Sequence, residues 1–116
     1  ENKSLCHPAS VDSIPTSAGQ EDHVSMGNAA GLKALRVLAN AELALAIELL
    51  AGAQAIEFLA PLEPAPGVRA THDAVREHSE RVREDRSLSD DIERVAGAIR
   101  DGSILAAAEA EIGVLR

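Results

Sequence analysis

Apolar positions dominate the middle of this chain, and their spacing predicts a helix. Across residues 20–59 there is no proline, and Leu35, Leu38, Leu45, Leu49 and Ile56 recur at three- and four-residue steps or their sums. That is the spacing of one helix face. Between Ala41 and Ile56 the apolar character spreads beyond a stripe. Glu42, Glu48 and Gln54 point to three sides of a helical wheel, and the rest is Ala, Leu, Ile and Gly. A helix apolar nearly all round is buried among other elements, and its small residues let neighbours approach closely.

The start of this helix is predicted from Ser17 and Gln20, which fit a Ser-x-x-Gln capping box. Glu21 and Asp22 then fall in the first turn, where the positive end of the helix dipole favours carboxylates. Ahead of it, residues 1–19 carry Pro8, Pro15 and Gly19 and read as a turn-rich loop, with residues 1–5 as the last turn of an earlier helix. After it, residues 61–67 form a proline-rich turn. Short helices follow within 68–116. The first covers 68–82, with Ala70, Ala74, Val75 and Val82 inward. The second covers 91–100, capped by Ser89 or Asp90 and carrying Ile92, Val95 and Ile99. The third covers 104–115 and is capped by Ser103. No strand is predicted. The fold class is all-α, a long central helix of a helical bundle plus short C-terminal helices.

Length sharpens this picture. A helix over residues 20–59 would run roughly 60 Å at 1.5 Å per residue, whereas a compact domain of this size is roughly 35 Å across. The helix either folds back, near Asn40, or belongs to a larger bundle built with other segments or subunits. The second is the expectation.

Composition adds limits. The 116 residues suit one domain, and 46% are hydrophobic, too many for a disordered acidic tail. They are mostly Ala, Leu, Val and Ile, with one Phe and no Tyr or Trp, which favours close helix packing over a β-sandwich. A net charge of −8 argues against nucleic acid or an anionic membrane as partner. The apolar run 41–62 holds Glu42, Glu48 and Glu57, a poor membrane span. Cys6 is alone, which gives no internal disulfide and points to a reducing, cytoplasmic setting. The chain starts at Glu1 and its only methionine is Met26, so it is read as a piece of something longer.

Candidate chemistry centres on Glu21. It is either a dipole-complementing acid on an exposed turn or a carboxylate held near a ligand at a buried helix start. His23 beside Asp22 does not form an acid–base pair in a helix, where neighbours diverge by about 100°; it is read as a second-shell or packing histidine. His72 and His78 are six apart, not the i, i+4 step of a helical zinc motif, so no metal site is expected. His7 reads as a loop residue, and Cys6 as a nucleophile has no support. The run "REHSERVREDR" (residues 76–86) reads as a solvated helix face with i, i+4 ion pairs.

The stretch "ENKSLCHPASVDSIPTSAGQEDHVSMG", the helix carrying "LAIELLAGAQAIEF", and "REDRSLSDDIE" further on resemble the C-terminal part of histidine ammonia-lyases. These belong to the aromatic amino acid ammonia-lyases and aminomutases. The resemblance implies a homotetramer built on long parallel helices, with L-histidine as substrate and urocanate and ammonia as products. It implies an electrophilic methylidene-imidazolone prosthetic group, formed from an internal Ala-Ser-Gly, and a catalytic tyrosine. Neither source is in this sequence: the nearest string is Ser17-Ala18-Gly19, and there is no tyrosine. This segment alone is therefore expected to be inactive and to supply one wall of a site. Glu21 matches the family's active-site glutamate, catalytic and substrate-binding, facing the substrate imidazole. A glutamine occupies the matching place in phenylalanine-specific relatives, so Glu21 favours histidine. Gln20 matches a neighbouring polar position near the prosthetic group and is read as substrate-binding, and Ser17 lines up with a position close to the site. Gly19 departs from the asparagine usual in "SANQED". The alternatives are a tyrosine ammonia-lyase or aminomutase of the same family, and a non-catalytic helical scaffold or degenerate paralogue.

Overall fold

The computed structural model describes residues 1–115. Five α-helices follow in order: α1 (Asn2–Leu5), α2 (Gly27–Phe58), α3 (Pro66–Arg76), α4 (Ser89–Arg100) and α5 (Ser103–Ile112). Short 3-10 turns at Ala9–Asp12 and Ser17–Gly19 precede α2. No strand occurs among the described residues, and the all-α class with a long central helix stands. The chain divides into two compact units, Glu1–Ala41 and Glu42–Arg116.

The long helix begins later than its capping-box signature predicts. Ser17 sits at φ +55° and makes no side-chain cap bond, and Glu21 pairs with Thr16 instead of entering a helix. The helix starts at Gly27, where Ala30 N–H reaches Met26 O at 2.9 Å, and its first turn holds no acidic residue. Helical structure continues through Asn40 to Phe58, 32 residues in all, or about 48 Å.

In the first unit, the polar side of α2 holds the N-terminal segment. Lys33 Nζ donates to His7 O, Arg36 pairs with Glu1 at 2.5 Å, and Asn40 Nδ2 donates to Asn2 Oδ1 at 2.8 Å. These positions recur at steps of three and four, so one helix face makes all three bonds. The neighbouring leucines Leu32, Leu35 and Leu38 remain exposed, at 59%, 64% and 57%.

In the second unit, Ala46, Leu50 and Ala53 of α2 are buried with Val75 of α3, Val95, Ala96 and Ala98 of α4, and Ile104 of α5. Alanine makes up half of this core, which brings helices close as the composition implied. Helix α3 packs on α5. The approach is closest at Gly67, where an added Cβ would stand 3.0 Å from Ile112.

The other helix ends shift for identifiable reasons. Helix α3 stops at Arg76, and residues 77–88 are not helical. The predicted i, i+4 pairs of this run give way to bonds with distant residues: Arg76 and Arg81 reach Glu57, Arg86 reaches Asp91, and Gln54 Oε1 accepts from Val82 N–H at 3.0 Å. Neither Ser89 nor Asp90 caps α4, because Leu88 is its N-cap. Before α5, Gly102 takes a left-handed φ of +80°, and Asp101 rather than Ser103 supplies the cap by accepting Ser103 N–H at 2.9 Å. That bond and the one from the Ser103 hydroxyl hold the Asp101 carboxyl below its usual range.

Candidate functional site

The chain from Ser13 to Val24 forms a clamped loop. Thr16 and Glu21 exchange both backbone hydrogen bonds, Thr16 N–H to Glu21 O at 2.8 Å and Glu21 N–H to Thr16 O at 3.2 Å. Outside this bridge, Ser13 Oγ accepts from Val24 N–H at 2.8 Å and donates to Val24 O at 3.2 Å. A side chain thus supplies a pairing that backbone would supply in a hairpin. Inside it, Ser17, Ala18 and Gly19 take φ of +55°, +54° and +85° in succession. L-residues pay about 1–2 kcal/mol each for a left-handed backbone, and such strain concentrates where a loop must present a group in one place. Gly19 alone has no such penalty.

This geometry places the residues singled out in the sequence. Ser17, Gln20 and Glu21 share one six-residue turn and are all exposed, with Gln20 N–H bonded to Ser17 O at 3.1 Å. Glu21 Oε2 accepts from Thr16 Oγ1 at 3.1 Å. His23 lies beyond the bridge, exposed, and makes no bond to Asp22 among the described residues. Thr16 and Ser13 were not singled out by pattern. Only their residue type, hydroxyl side chains flanking a turn, carried any signal.

A second polar centre joins helices in the other unit. Glu57 Oε1 accepts from Arg76 Nε at 2.7 Å and lies 3.2 Å from His72 Nε2, while Arg81 Nε lies 3.2 Å from Glu57 Oε2. His72 Nδ1 is 2.9 Å from Asp73 Oδ1. Burial raises the Glu57 carboxyl, but the bonds from Arg76 and His72 and the charges of Arg76 and Arg81 outweigh it, so its pKa lies below the ordinary value. Among the described residues, no three side chains of metal-ligating type are grouped to hold an ion, and no helix is long and apolar enough to cross a membrane.

The loop, the long helix and the first of the short helices fall inside a known family. The aromatic amino acid lyase model matches residues 1–77. The chain belongs to the aromatic amino acid lyase family. Histidine ammonia-lyase of Symbiobacterium thermophilum is 54% identical over 99% of this chain and 23% of its own length. The enzyme of Anaeromyxobacter sp. strain K is 55% identical over 90% of the chain and 20% of its own length. Among solved structures, histidine ammonia-lyase from Trypanosoma cruzi superposes with a TM-score of 0.88 at 43% identity, covering 95% of this chain and 22% of that one. Tyrosine aminomutase from Streptomyces globisporus superposes with a TM-score of 0.90 at 36% identity, covering 98% and 22%. The chain therefore spans under a quarter of these lyase-family relatives. The match to the Symbiobacterium enzyme extends past residue 77, over 99% of the chain.

Proposed function

We propose that the chain is the C-terminal portion of a histidine ammonia-lyase, which eliminates ammonia from L-histidine to give urocanate, and that it contributes one wall of the active site. The observation that carries this reading is Glu21: an exposed carboxylate on a strained, doubly clamped loop, in a chain whose curated relatives at 50–55% identity are histidine ammonia-lyases. The physical role follows from charge. A carboxylate accepts from an imidazole N–H and stabilises positive charge on the ring, through a hydrogen bond stronger than one between neutral groups. A phenyl ring offers neither a donor nor a positive charge. Gln20, next to it on the same turn, can donate or accept at the polar end of a bound amino acid.

The prosthetic methylidene-imidazolone would supply the electrophile, and it would come from an Ala-Ser-Gly outside this sequence. The residues here suit its neighbourhood in one respect: Glu21 is exposed rather than buried against its own chain, so its carboxylate is open to a group carried by another segment. The proposed assembly is a homotetramer in a cytoplasmic setting, with leucines on α2 turned to other helices.

The test uses the full-length protein. Histidine should yield urocanate, read by its ultraviolet absorbance, and Glu21→Ala should cut turnover severely while the assembled mass stays unchanged. Turnover of tyrosine but not histidine would move the assignment to the aminomutase side of the family. Parent-like turnover of Glu21→Ala would return Glu21 to a structural role.

A further inference from the structure

We infer that Thr16 is a positioning residue for the reaction, whose hydroxyl holds the Glu21 carboxylate in the orientation that meets the substrate. The inference rests on the reading of Glu21 as the substrate-facing acid. A glutamate side chain has three rotatable bonds, and an exposed one samples many rotamers. On this loop two restraints act on it. The backbone of residue 21 is fixed by the reciprocal pair with Thr16, at 2.8 and 3.2 Å. The side chain is fixed by the same residue, because Thr16 Oγ1 donates to Glu21 Oε2 at 3.1 Å. One residue thus sets both ends of the glutamate. The other oxygen, Oε1, keeps its acceptor capacity for a ligand N–H.

The rest of the loop explains why position 16 has this reach. Residues five apart come face to face only if the chain between them reverses tightly. Three consecutive left-handed residues, Ser17, Ala18 and Gly19, do that. The strain at Ser17 and Ala18 is balanced by the bridge and by the Ser13–Val24 pairing outside it. Within this frame the two branches of the Thr16 side chain make opposite predictions. If position 16 serves by packing, the methyl matters and the hydroxyl does not. If it positions Glu21, the hydroxyl matters and the methyl does not. Serine keeps only the first group of that second pair, and valine keeps the shape without the donor.

The experiment compares Thr16→Val and Thr16→Ser in the full-length enzyme, with Glu21→Ala alongside and melting temperature and assembled mass as controls. We expect kcat/KM for histidine to fall roughly tenfold in Thr16→Val, the worth of one hydrogen bond to a charged group, and to stay within about twofold of the parent in Thr16→Ser. Should Thr16→Val fail to assemble, Thr16→Ala, which adds no bulk, takes its place against serine. A loss in Thr16→Ser with Thr16→Val spared would assign a packing role and overturn the inference, and equal losses in the two would overturn it as well, because serine keeps the hydroxyl. So would parent-like turnover of Thr16→Val while Glu21→Ala is impaired, and that result leaves the role of Glu21 standing. Parent-like turnover of Glu21→Ala would instead remove the reading on which the inference rests.

Discussion

Gly19 shows how a single backbone angle accounts for a departure from the family's usual residue. The resemblance implies asparagine at this position, and the loss of that side chain would by itself point to a looser loop. The observed φ of +85° gives a different account: glycine enters the left-handed region freely, and asparagine is among the few other residues that do so routinely. Both residues solve the same backbone problem. No atom lies within 4 Å of where a Cβ would stand, so a substitution here is opposed by the backbone alone. Gly19→Ala is expected to destabilise the closed loop by about 1 kcal/mol, which shifts the opening equilibrium of the Thr16–Glu21 bridge by roughly fivefold. Hydrogen exchange at the Glu21 amide in the full-length protein reads this directly. Gly19→Asn should leave that exchange within about twofold of the parent, and a large acceleration by asparagine would mean that its side chain clashes in the assembled site.

Elements were legible where periodicity spoke for them and obscure where distant residues decided. The three short helices, the inward placement of Val75 and Val95, and the long central helix follow from spacing alone, and Val75 and Val95 are fully buried. The start of α2 was not legible, because Ser17 and Gln20 satisfy a local capping pattern that the Thr16–Glu21 bridge overrides. The run after Arg76 was misread for a similar reason. Its arginines look like a helical ion-pair face, yet Arg76 and Arg81 bond Glu57 on another helix, and no local window contains that partner. The chemical identity of Glu21 as a candidate site residue was legible through the resemblance, whereas its bond from Thr16 required the fold of the loop. The Glu57 centre yields a prediction at this scale. Its carboxyl is held below the ordinary glutamate value in the folded state, so the stabilisation it contributes is complete above the unfolded value of about 4.3 and fades as pH falls through the lowered folded value. Glu57→Gln should therefore cost about 2–3 kcal/mol near neutral pH, since it leaves the mostly buried Arg76 without its counter-charge. The penalty should shrink as the medium is acidified below about pH 4. Melting temperatures of the full-length parent and variant across that range test both statements; a pH-independent gap would place the effect in packing.

At the scale of the whole molecule, the decisive feature is apolar surface that this chain leaves uncovered. Leu35 and Leu38 of the first unit are 64% and 57% exposed, and Leu45 and Ile47 of the second are 49% and 52% exposed. Each would contribute about 1.5–3 kcal/mol if fully buried. The buried face of α2 in the second unit is Ala46, Leu50 and Ala53, with Leu49 of the predicted stripe packed against it, whereas Leu35, Leu38 and Leu45 of that stripe stay exposed. The chain spans 20–23% of its histidine ammonia-lyase relatives, and the proposed tetramer places long helices against one another, which would bury that stripe between subunits. The double variant Leu35→Glu/Leu38→Glu tests this in the full-length protein. Placing charges at two positions that need an apolar neighbour should shift sedimentation from tetramer to smaller species. Helicity by circular dichroism should persist, because neither leucine belongs to the core of this chain. Arg36→Gln, on the polar side of the same turn, should leave the mass unchanged. If the double variant keeps a parent-like mass, the stripe does not lie between subunits. If it is lost to aggregation with its helicity, the leucines pack against an earlier segment of the same chain, and the burden of assembly falls on another face.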